Sequence, residues 1–234
     1  MKKFTNLIIV TLLIAVISLS IAVGYLFGKT SSVSADSSEV PGSLNSSESE
    51  TGATEPENEI TELRCSVQLG TLTITEGDDF HVSELNGSDY EAYTEDGAYI
   101  VNGSTTHDNH IVVTVPKDYP FETVELSVAG GALAAENIHT RNLYTNCDKG
   151  AIDCSGSVSA VAEVRQLQGK TVLNIDGRQT DYNYSLDLDL GHIGVGEEQY
   201  AGPRQHQNID NGAEKNINAS CTMGSISILF SEAD

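Results

Sequence analysis

Beyond residue 60 the apolar side chains recur at every second position, which is the period of a β-strand with one buried face. The alternation is clear in Cys65–Leu69, Phe80–Val82, Ile111–Val115 and Leu186–Leu190. No long stretch of this region keeps the 3.6-residue period of an amphipathic helix. The pattern therefore predicts an all-β domain.

Glycine-containing dipeptides separate these runs and predict turns, because Asn, Asp and Gly tolerate positive φ angles. They are Asn86-Gly87, Asp96-Gly97, Asn102-Gly103, Asp176-Gly177 and Asn211-Gly212. Proline cannot donate to a strand ladder, so Pro116 and Pro120 are expected to close the strand over residues 110–115. Region 75–109 is less regular, and we expect several short strands there that cap or flank the main domain.

A repeat punctuated by glycine is the sharper signal. Gly131, Gly150 and Gly169 are 19 residues apart, Gly191 follows after 22, and Gly224 follows after an insertion. The same frame fits much earlier in the chain, around Gly70, with Val67 before it and Leu72 and Ile74 after it. Such internal periodicity indicates stacked units that share one core.

Each unit offers two short strands, with inward positions three residues before the glycine and two and four residues after it. The inward positions are Val128, Leu133, Ala135, Cys147, Ile152, Cys154, Gln166, Thr171, Leu173, Leu188, Ile193, Val195, Cys221, Ile226 and Ile228. Gln166 and Thr171 are polar, so the middle unit is expected to be shifted in register. Five units at about 4.8 Å spacing predict a stack roughly 24 Å tall.

The order of these elements resembles a bacterial β-strand-repeat family whose members are named "putative adhesins". The resemblance rests on HIVVTVPKDYPFETVELSVAGG (His110–Gly131), KGAIDCSG, DYNYSLDLDLGHIGVG and the terminal ASCTMGSISILF (Ala219–Phe230), and it covers roughly residues 62–230. It implies a right-handed β-solenoid-like fold at the cell surface or envelope. It supplies no catalytic residue to carry over.

The N-terminus carries a different signal. Leu7–Phe27 is 21 residues without a charge, and as a helix it spans about 31 Å, the thickness of a bilayer core. Lys2 and Lys3 precede it, so the positive-inside rule places residues 1–6 in the cytoplasm and the bulk of the chain outside. We therefore predict a single-pass signal anchor over residues 7–28.

Residues 29–61 are rich in Ser and Glu and, after Lys29, contain no basic or aromatic residue. Such a composition buries too little apolar surface to fold, so this segment is predicted to be a disordered tether for an extracellular domain at residues 62–234. Cleavage after Ala35, within the small-residue site Val33-Ser34-Ala35, is the alternative, and it would release the domain as a secreted protein.

The charge limits the choice of partners. The chain has 34 acidic and 12 basic residues, a net charge of −22. Nucleic acids are poor partners for such a surface, because binding their phosphates requires Lys and Arg. Four cysteines, Cys65, Cys147, Cys154 and Cys221, could form disulfides or could be buried thiols.

Candidate chemistry is sparse. Asp187 and Asp189 point outward from one strand with Asp176 and Asp181 near them in sequence, and they could be catalytic carboxylates, a Ca²⁺ site or ordinary surface acids. His107 and His110 are close in the sequence, but no further Cys or His lies near them to complete a zinc site. We therefore expect no catalytic, cofactor-binding or metal site, and no cofactor.

Three functions are compatible with these features. The first is a membrane-anchored binding or adhesion module that recognises an envelope or surface component. The second is an accessory subunit of a membrane signalling or envelope-stress system, which would need a membrane-protein partner because only about six residues are expected in the cytoplasm. The third, and the least favoured, is a glycan-active β-helix enzyme built on Asp187 and Asp189.

Overall fold

The computed structural model describes residues 59–85, 88–104 and 109–231. Their regular structure is all β-strand apart from one 3-10 turn at Gln179–Asp181, which confirms the all-β prediction. No helix in the described ranges is long and apolar enough to cross a bilayer. The predicted anchor at residues 7–28, and the predicted tether as far as residue 58, lie outside those ranges.

Twelve strands follow one another through the described residues. They are β1 (Glu62–Val67), β2 (Gly70–Gly77), β3 (His81–Glu84), β4 (Tyr90–Glu95), β5 (Ala98–Gly103), β6 (Asn109–Pro116), β7 (Pro120–Asp176), β8 (Tyr182–Leu188), β9 (His192–Val195), β10 (Glu198–Ala201), β11 (Gln205–Ile209) and β12 (Lys215–Ser231). The segment β7 is long because it coils through several layers of the fold and turns its corners at single residues, such as Gly131 and Asn137 with positive φ angles, without an intervening loop.

Each layer consists of two strand segments that meet at a corner, and parallel pairing joins one layer to the next. Glycines form a column along this corner. In stacking order they are Gly70, Gly131, Gly150, Gly169, Gly224 and Gly191, with Asn109 continuing the column beyond Gly70. The predicted repeat is confirmed, and the layer around Gly70 belongs to the same stack as the others.

The layers do not stack in chain order. The β1–β2 layer lies between the β5–β6 layer and β7, because β1 pairs with β5 and β7 while β2 pairs with β6 and β7. At the other end β12 lies between β7 on one side and β8 and β9 on the other. Both ends of the described β-domain are therefore inserted inside the stack.

The predicted inward positions form the core. All fifteen, from Val128 to Ile228, are at most 4% exposed, and so are Val67, Leu72 and Ile74 of the upstream layer. The apolar side chains lie in one continuous cluster along the stack. This arrangement explains the repeat, since one layer alone cannot cover its own apolar stripe.

The predicted register shift at Gln166 and Thr171 is wrong. Both side chains are buried in line with the other layers, and the Thr171 hydroxyl donates to Gln166 Oε1 at 2.6 Å. The Gln166 amide in turn donates to the carbonyl oxygen of Cys147 at 3.1 Å. The layer keeps its register because these two polar groups satisfy each other inside the core.

Short antiparallel strands flank both ends of the stack. At one end β3 pairs with β6 and β4 pairs with β5, and at the other β10 pairs with β9 and β11 pairs with β8. The strands β3 and β4 of region 75–109 thus flank the solenoid as predicted, whereas β5 is a layer of the stack itself. The handedness of the coil stays a prediction from the resemblance.

The predicted turns have different outcomes. Asp96 and Gly97 both have positive φ between β4 and β5, Gly177 has positive φ directly after β7, and Gly212 has positive φ between β11 and β12. The turn predicted at Asn102-Gly103 is wrong, because both residues lie inside β5, where Asn102 Oδ1 accepts a hydrogen bond from Ser66 at 2.7 Å. Asn86-Gly87 lies outside the described residues.

We expect Ile226→Ala or Ile193→Ala to lower the free energy of unfolding by roughly 2–5 kcal/mol, because each side chain is fully buried between layers. Leu229 lies on the same strand as Ile226 but is 45% exposed, and Leu229→Ala should cost less than about 1 kcal/mol. Chemical denaturation of the full chain measures both effects. A loss below about 0.5 kcal/mol at Ile226 would contradict the register described here.

The glycine column gives a second test. A Cβ atom on Gly150 would overlap the carbonyl oxygen of Gly131 and lie 2.8 Å from Val128 Cγ1, whereas one on Gly130 would lie 3.4 Å from its nearest neighbour. Neither glycine has a positive φ angle, so only the close approach differs. Gly150→Ala should therefore destabilise the domain by about 1–3 kcal/mol in a denaturation experiment.

Gly130→Ala is the matched control and should change stability by less than about 0.5 kcal/mol. Equal effects of the two substitutions would show that close packing along the corner does not hold the layers together.

The buried polar pair gives a third test. Thr171→Val removes the donor to Gln166 and should cost about 1–3 kcal/mol, because Gln166 Oε1 is then buried without a partner. Combining Thr171→Val with Gln166→Leu should cost less than the sum of the two single variants. Strict additivity in a double-mutant cycle would contradict the hydrogen bond between them.

Candidate functional site

The strand segments that precede the glycine column present one outward face, which we call the groove face. Parallel pairing aligns its outward side chains into two rows across the layers. The first row contains Arg64, Glu125, Tyr144, Glu163, Asn218 and Ser185. The second row contains Ser66, Ser127, Asn146, Arg165, Ser220 and Asp187.

Three shallow depressions follow one another along this face. The first, of about 410 Å³, is lined by residues that include Tyr144, Asn146 and Arg165. The second, of about 250 Å³, shares Glu163 and Arg165 with the first. The third, of about 360 Å³, shares Asp187 and Ser220 with the second. Because neighbouring depressions share their walls, they form one groove that crosses the layers.

The alternation of long and short side chains creates the groove. Serine and asparagine lie between larger neighbours, as Ser127 and Asn146 do beside Tyr144, so the backbone is open to solvent there. Strand layers are about 4.8 Å apart, and the five steps from Glu125 to His206 on β11 give a length of roughly 24 Å. The groove is therefore long and shallow.

Two arginines of the groove face lie beside glutamates. Arg64 Nε lies 3.7 Å from Glu125 Oε2, and Arg165 forms an ion pair with Glu163. Tyr144 is 38% exposed and presents its ring between these pairs. The groove thus combines an aromatic ring with amides, hydroxyls and paired charges.

The third depression contains the two aspartates that sequence patterns singled out. Asp187 and Asp189 both line it, together with Arg204 and His206. His206 Nδ1 lies 2.6 Å from Asp187 Oδ1, and the Asn208 side-chain amide lies 2.9 Å from His206 Nε2. The structure therefore joins Asp187 to a histidine that follows 19 residues later in the sequence.

Asp176 and Asp181 do not join this group. Asp176 accepts a hydrogen bond from Ser231 Oγ at 2.8 Å, and Asp181 pairs with Arg178 at 3.1 Å. Asp181 ends the 3-10 turn before β8, and Asp187 is six residues further along extended chain, about 20 Å away. Proximity in sequence did not predict proximity in space here, because an extended strand adds about 3.3 Å per residue.

Sequence patterns missed His206, Arg204 and Tyr144 as groove residues. His206 and Arg204 belong to the excursion between β9 and β12, which folds back as β10 and β11, and its pairing with β8 had no signal in the repeat. Tyr144 occupies an outward position of the repeat, so the repeat could have placed it on a face. Of the two neighbouring histidines, His110 Nδ1 lies 2.9 Å from Thr71 Oγ1, and His107 lies outside the described residues.

All four cysteines are free and buried. Burial raises the pKa of the Cys154 thiol to about 12 and raises the pKa of the Cys65 and Cys147 thiols above their ordinary value. These thiols are protonated at neutral pH, and a protonated buried thiol is a poor nucleophile and metal ligand. The cysteines of the layers around Gly150 and Gly70 therefore serve as small core residues.

Potential metal ligands converge away from the groove. In the described part of the chain, ligand atoms of Glu76, Asp118 and His139 all lie within 4.8 Å of one another. These residues are 42 and 21 positions apart in the sequence, so no motif could indicate the group.

A family model described as Toastrack DUF4097 matches residues 45–230. No curated protein matches the chain. Among solved structures, a "putative cell adhesion protein" from Clostridium sporogenes ATCC 15579 is 15% identical with a TM-score of 0.48, covering 76% of this chain and 96% of that one. A "putative adhesin" from Bacteroides fragilis NCTC 9343 is 10% identical with a TM-score of 0.36, covering 73% of this chain and 93% of that one.

Proposed function

This chain belongs to the Toastrack DUF4097 family, and on that premise we propose that it is a binding module held outside the cell whose groove face binds an extended glycan chain. The observation that carries the proposal is the continuity of the three depressions, which share their walls over roughly 24 Å. A continuous groove suits an elongated ligand better than a compact one.

The side chains in the groove favour a glycan over other polymers. An exposed tyrosine ring offers the flat, amphipathic surface on which the apolar face of a sugar ring can stack. Asn146, Asn218 and the neighbouring serines supply the donors and acceptors that sugar hydroxyls require. The spacing of the layers is comparable with the length of one sugar unit in an extended chain, so successive layers can contact successive units.

The charges of the groove argue against nucleic acids and basic peptides as ligands. The arginines Arg64 and Arg165 each pair with a glutamate, so the groove offers no excess of positive charge to a nucleic acid. A strongly basic peptide would be attracted by the net charge of −22 as a whole, but Glu125 and Glu163 in the first depression each lie beside an arginine already. A neutral polar polymer is the ligand that this face fits.

Display outside the cell rests on the N-terminal sequence. The uncharged run Leu7–Phe27, preceded by two lysines and followed by a Ser/Glu-rich segment, supports an anchor and a tether for the domain. A tether of about 30 residues has a mean span of roughly 30 Å, enough to hold the groove away from the bilayer. The module would then reach polymers of the envelope or of another surface.

Binding without catalysis is part of the proposal. Hydrolysis of a glycosidic bond usually needs two carboxylates placed on either side of that bond. In the third depression the Asp187 carboxylate is already held by His206, and the groove is shallow throughout, so water has free access to a bound chain. This arrangement suits recognition better than a reaction that requires a desolvated acid.

We expect the full chain to bind linear oligosaccharides about five units long and to leave them intact, since such a chain matches the length of the groove. Tyr144→Ala should weaken binding at least tenfold, equivalent to about 1.4 kcal/mol, because it removes the stacking surface. Calorimetric titration against a panel that includes N-acetylglucosamine oligomers measures the affinity, and mass spectrometry of the sugar after incubation detects cleavage.

Tyr93→Ala is the matched control, because Tyr93 is also exposed (43%) but lies on β4, outside the three depressions. Its affinity should equal that of the unaltered chain. If the unaltered chain shortens the sugars and Asp187→Asn abolishes this cleavage, the protein is a glycan-cleaving enzyme and the binding proposal is wrong. Binding that is insensitive to Tyr144→Ala, or an exclusive preference for basic peptides, would overturn the glycan assignment.

A further inference from the structure

A group of metal-ligating side chains lies at a corner of the stack where three adjacent layers meet. Glu76 comes from the end of β2, Asp118 from the turn between β6 and β7, and His139 from β7, eight residues after the corner at Gly131. Because β2 pairs with β6 on one side and with β7 on the other, the three residues are brought together by the insertion of the β1–β2 layer.

The ligand atoms converge without bonding to one another through their side chains. His139 Nε2 lies 3.6 Å from Asp118 Oδ1, which is longer than a good hydrogen bond. One carboxylate oxygen each from Glu76 and Asp118 and the imidazole nitrogen all lie within 4.8 Å of one another. Ligands around a tetrahedral Zn²⁺ at about 2.1 Å are roughly 3.4 Å apart, so modest side-chain rotations would close the group on an ion.

Surrounding groups orient these ligands. His139 Nδ1 lies 2.8 Å from Ser157 Oγ, and a histidine that binds metal through one nitrogen usually has such a partner on the other. Glu76 Oε1 accepts a hydrogen bond from the Asp118 backbone at 3.2 Å, and Glu76 Oε2 accepts one from the Asn137 side chain at 3.1 Å. Each oxygen keeps a lone pair for a cation.

The electrostatics of the corner favour the charged form of Glu76. The hydrogen bond from the Asn137 side chain, followed by that from the Asp118 backbone, lowers the pKa of Glu76, and the positive charge of Lys117 acts in the same direction. Two carboxylates therefore lie side by side in a chain that is already strongly acidic. A bound cation would balance them.

We propose that Glu76, Asp118 and His139 form a binding site for a divalent transition-metal ion, with Zn²⁺ as the reference ion. One imidazole with two carboxylates matches the mixed N/O ligand set of zinc and its neighbours, whereas Ca²⁺ and Mg²⁺ prefer oxygen ligands alone. The protein supplies three ligands, and water completes the coordination. The ion clips the inserted β1–β2 layer to the layers on both sides of it.

The test is a titration of the metal-stripped full chain with ZnCl₂ and, separately, with CaCl₂. We expect one Zn²⁺ per chain and much weaker binding of Ca²⁺, together with a rise in the melting temperature at saturating Zn²⁺. His139→Gln and Asp118→Asn should each weaken Zn²⁺ binding at least tenfold. Asp118 is 72% exposed in a turn, so Asp118→Asn is expected to fold normally. It therefore tests the site even if His139→Gln folds poorly.

His192→Gln is the matched control, because His192 is another histidine on a layer edge, with Gln199 as its partner. It should leave the Zn²⁺ affinity unchanged. A metal-free chain that binds no Zn²⁺ at about 100 μM, well above the range of a specific site, would overturn the proposal. Stoichiometric binding that survives both His139→Gln and Asp118→Asn would overturn it as well.

Discussion

The close approach of backbone to backbone along the glycine column is the constraint on which the rest of the structure depends. A side chain on Gly131 would overlap the carbonyl oxygen of Gly70, and one on Gly224 would lie 2.6 Å from the carbonyl oxygen of Gly169. Glycine therefore lets every layer turn its corner directly above the previous one. With the corners aligned, parallel pairing keeps the inward and outward positions of all layers in step.

Layers from distant parts of the chain can stack at the same corner, and their order determines which residues meet in the groove and in the metal-ligand group. Gly70 and Gly224 take their places in the column although β1–β2 and β12 arrive out of chain order. Insertion of β12 places Asn218 and Ser220 between β7 and β8, which joins the depressions into one groove. Insertion of β1–β2 gathers Glu76, Asp118 and His139. Both sites are products of stacking order.

Local patterns in the sequence predicted the layers but not their order. Glycine spacing identified the corner and the inward positions, because the same physical demand recurs in every layer. It also placed Leu72 and Ile74 in the core. The order was hidden, since every layer offers an equivalent edge and nothing local says which edges meet. The register shift predicted from Gln166 and Thr171 was wrong for a different reason. The hydrogen bond that lets both polar side chains lie in the core cannot be read from the sequence. His139 belongs to a group where adjacent layers meet, and His206 reaches Asp187 through the pairing of β11 with β8, which the repeat does not indicate.

Native-state hydrogen exchange on the full chain tests the stacking order most directly. The account predicts that the amides of β12 (Lys215–Ser231) exchange as slowly as those in the middle of β7, because β12 is paired on both sides, while β10 and β11 exchange first as exposed edges. Rapid exchange throughout β12 would show it to be a fraying terminal strand. The stack would then follow chain order, and the groove would be interrupted at Ser220.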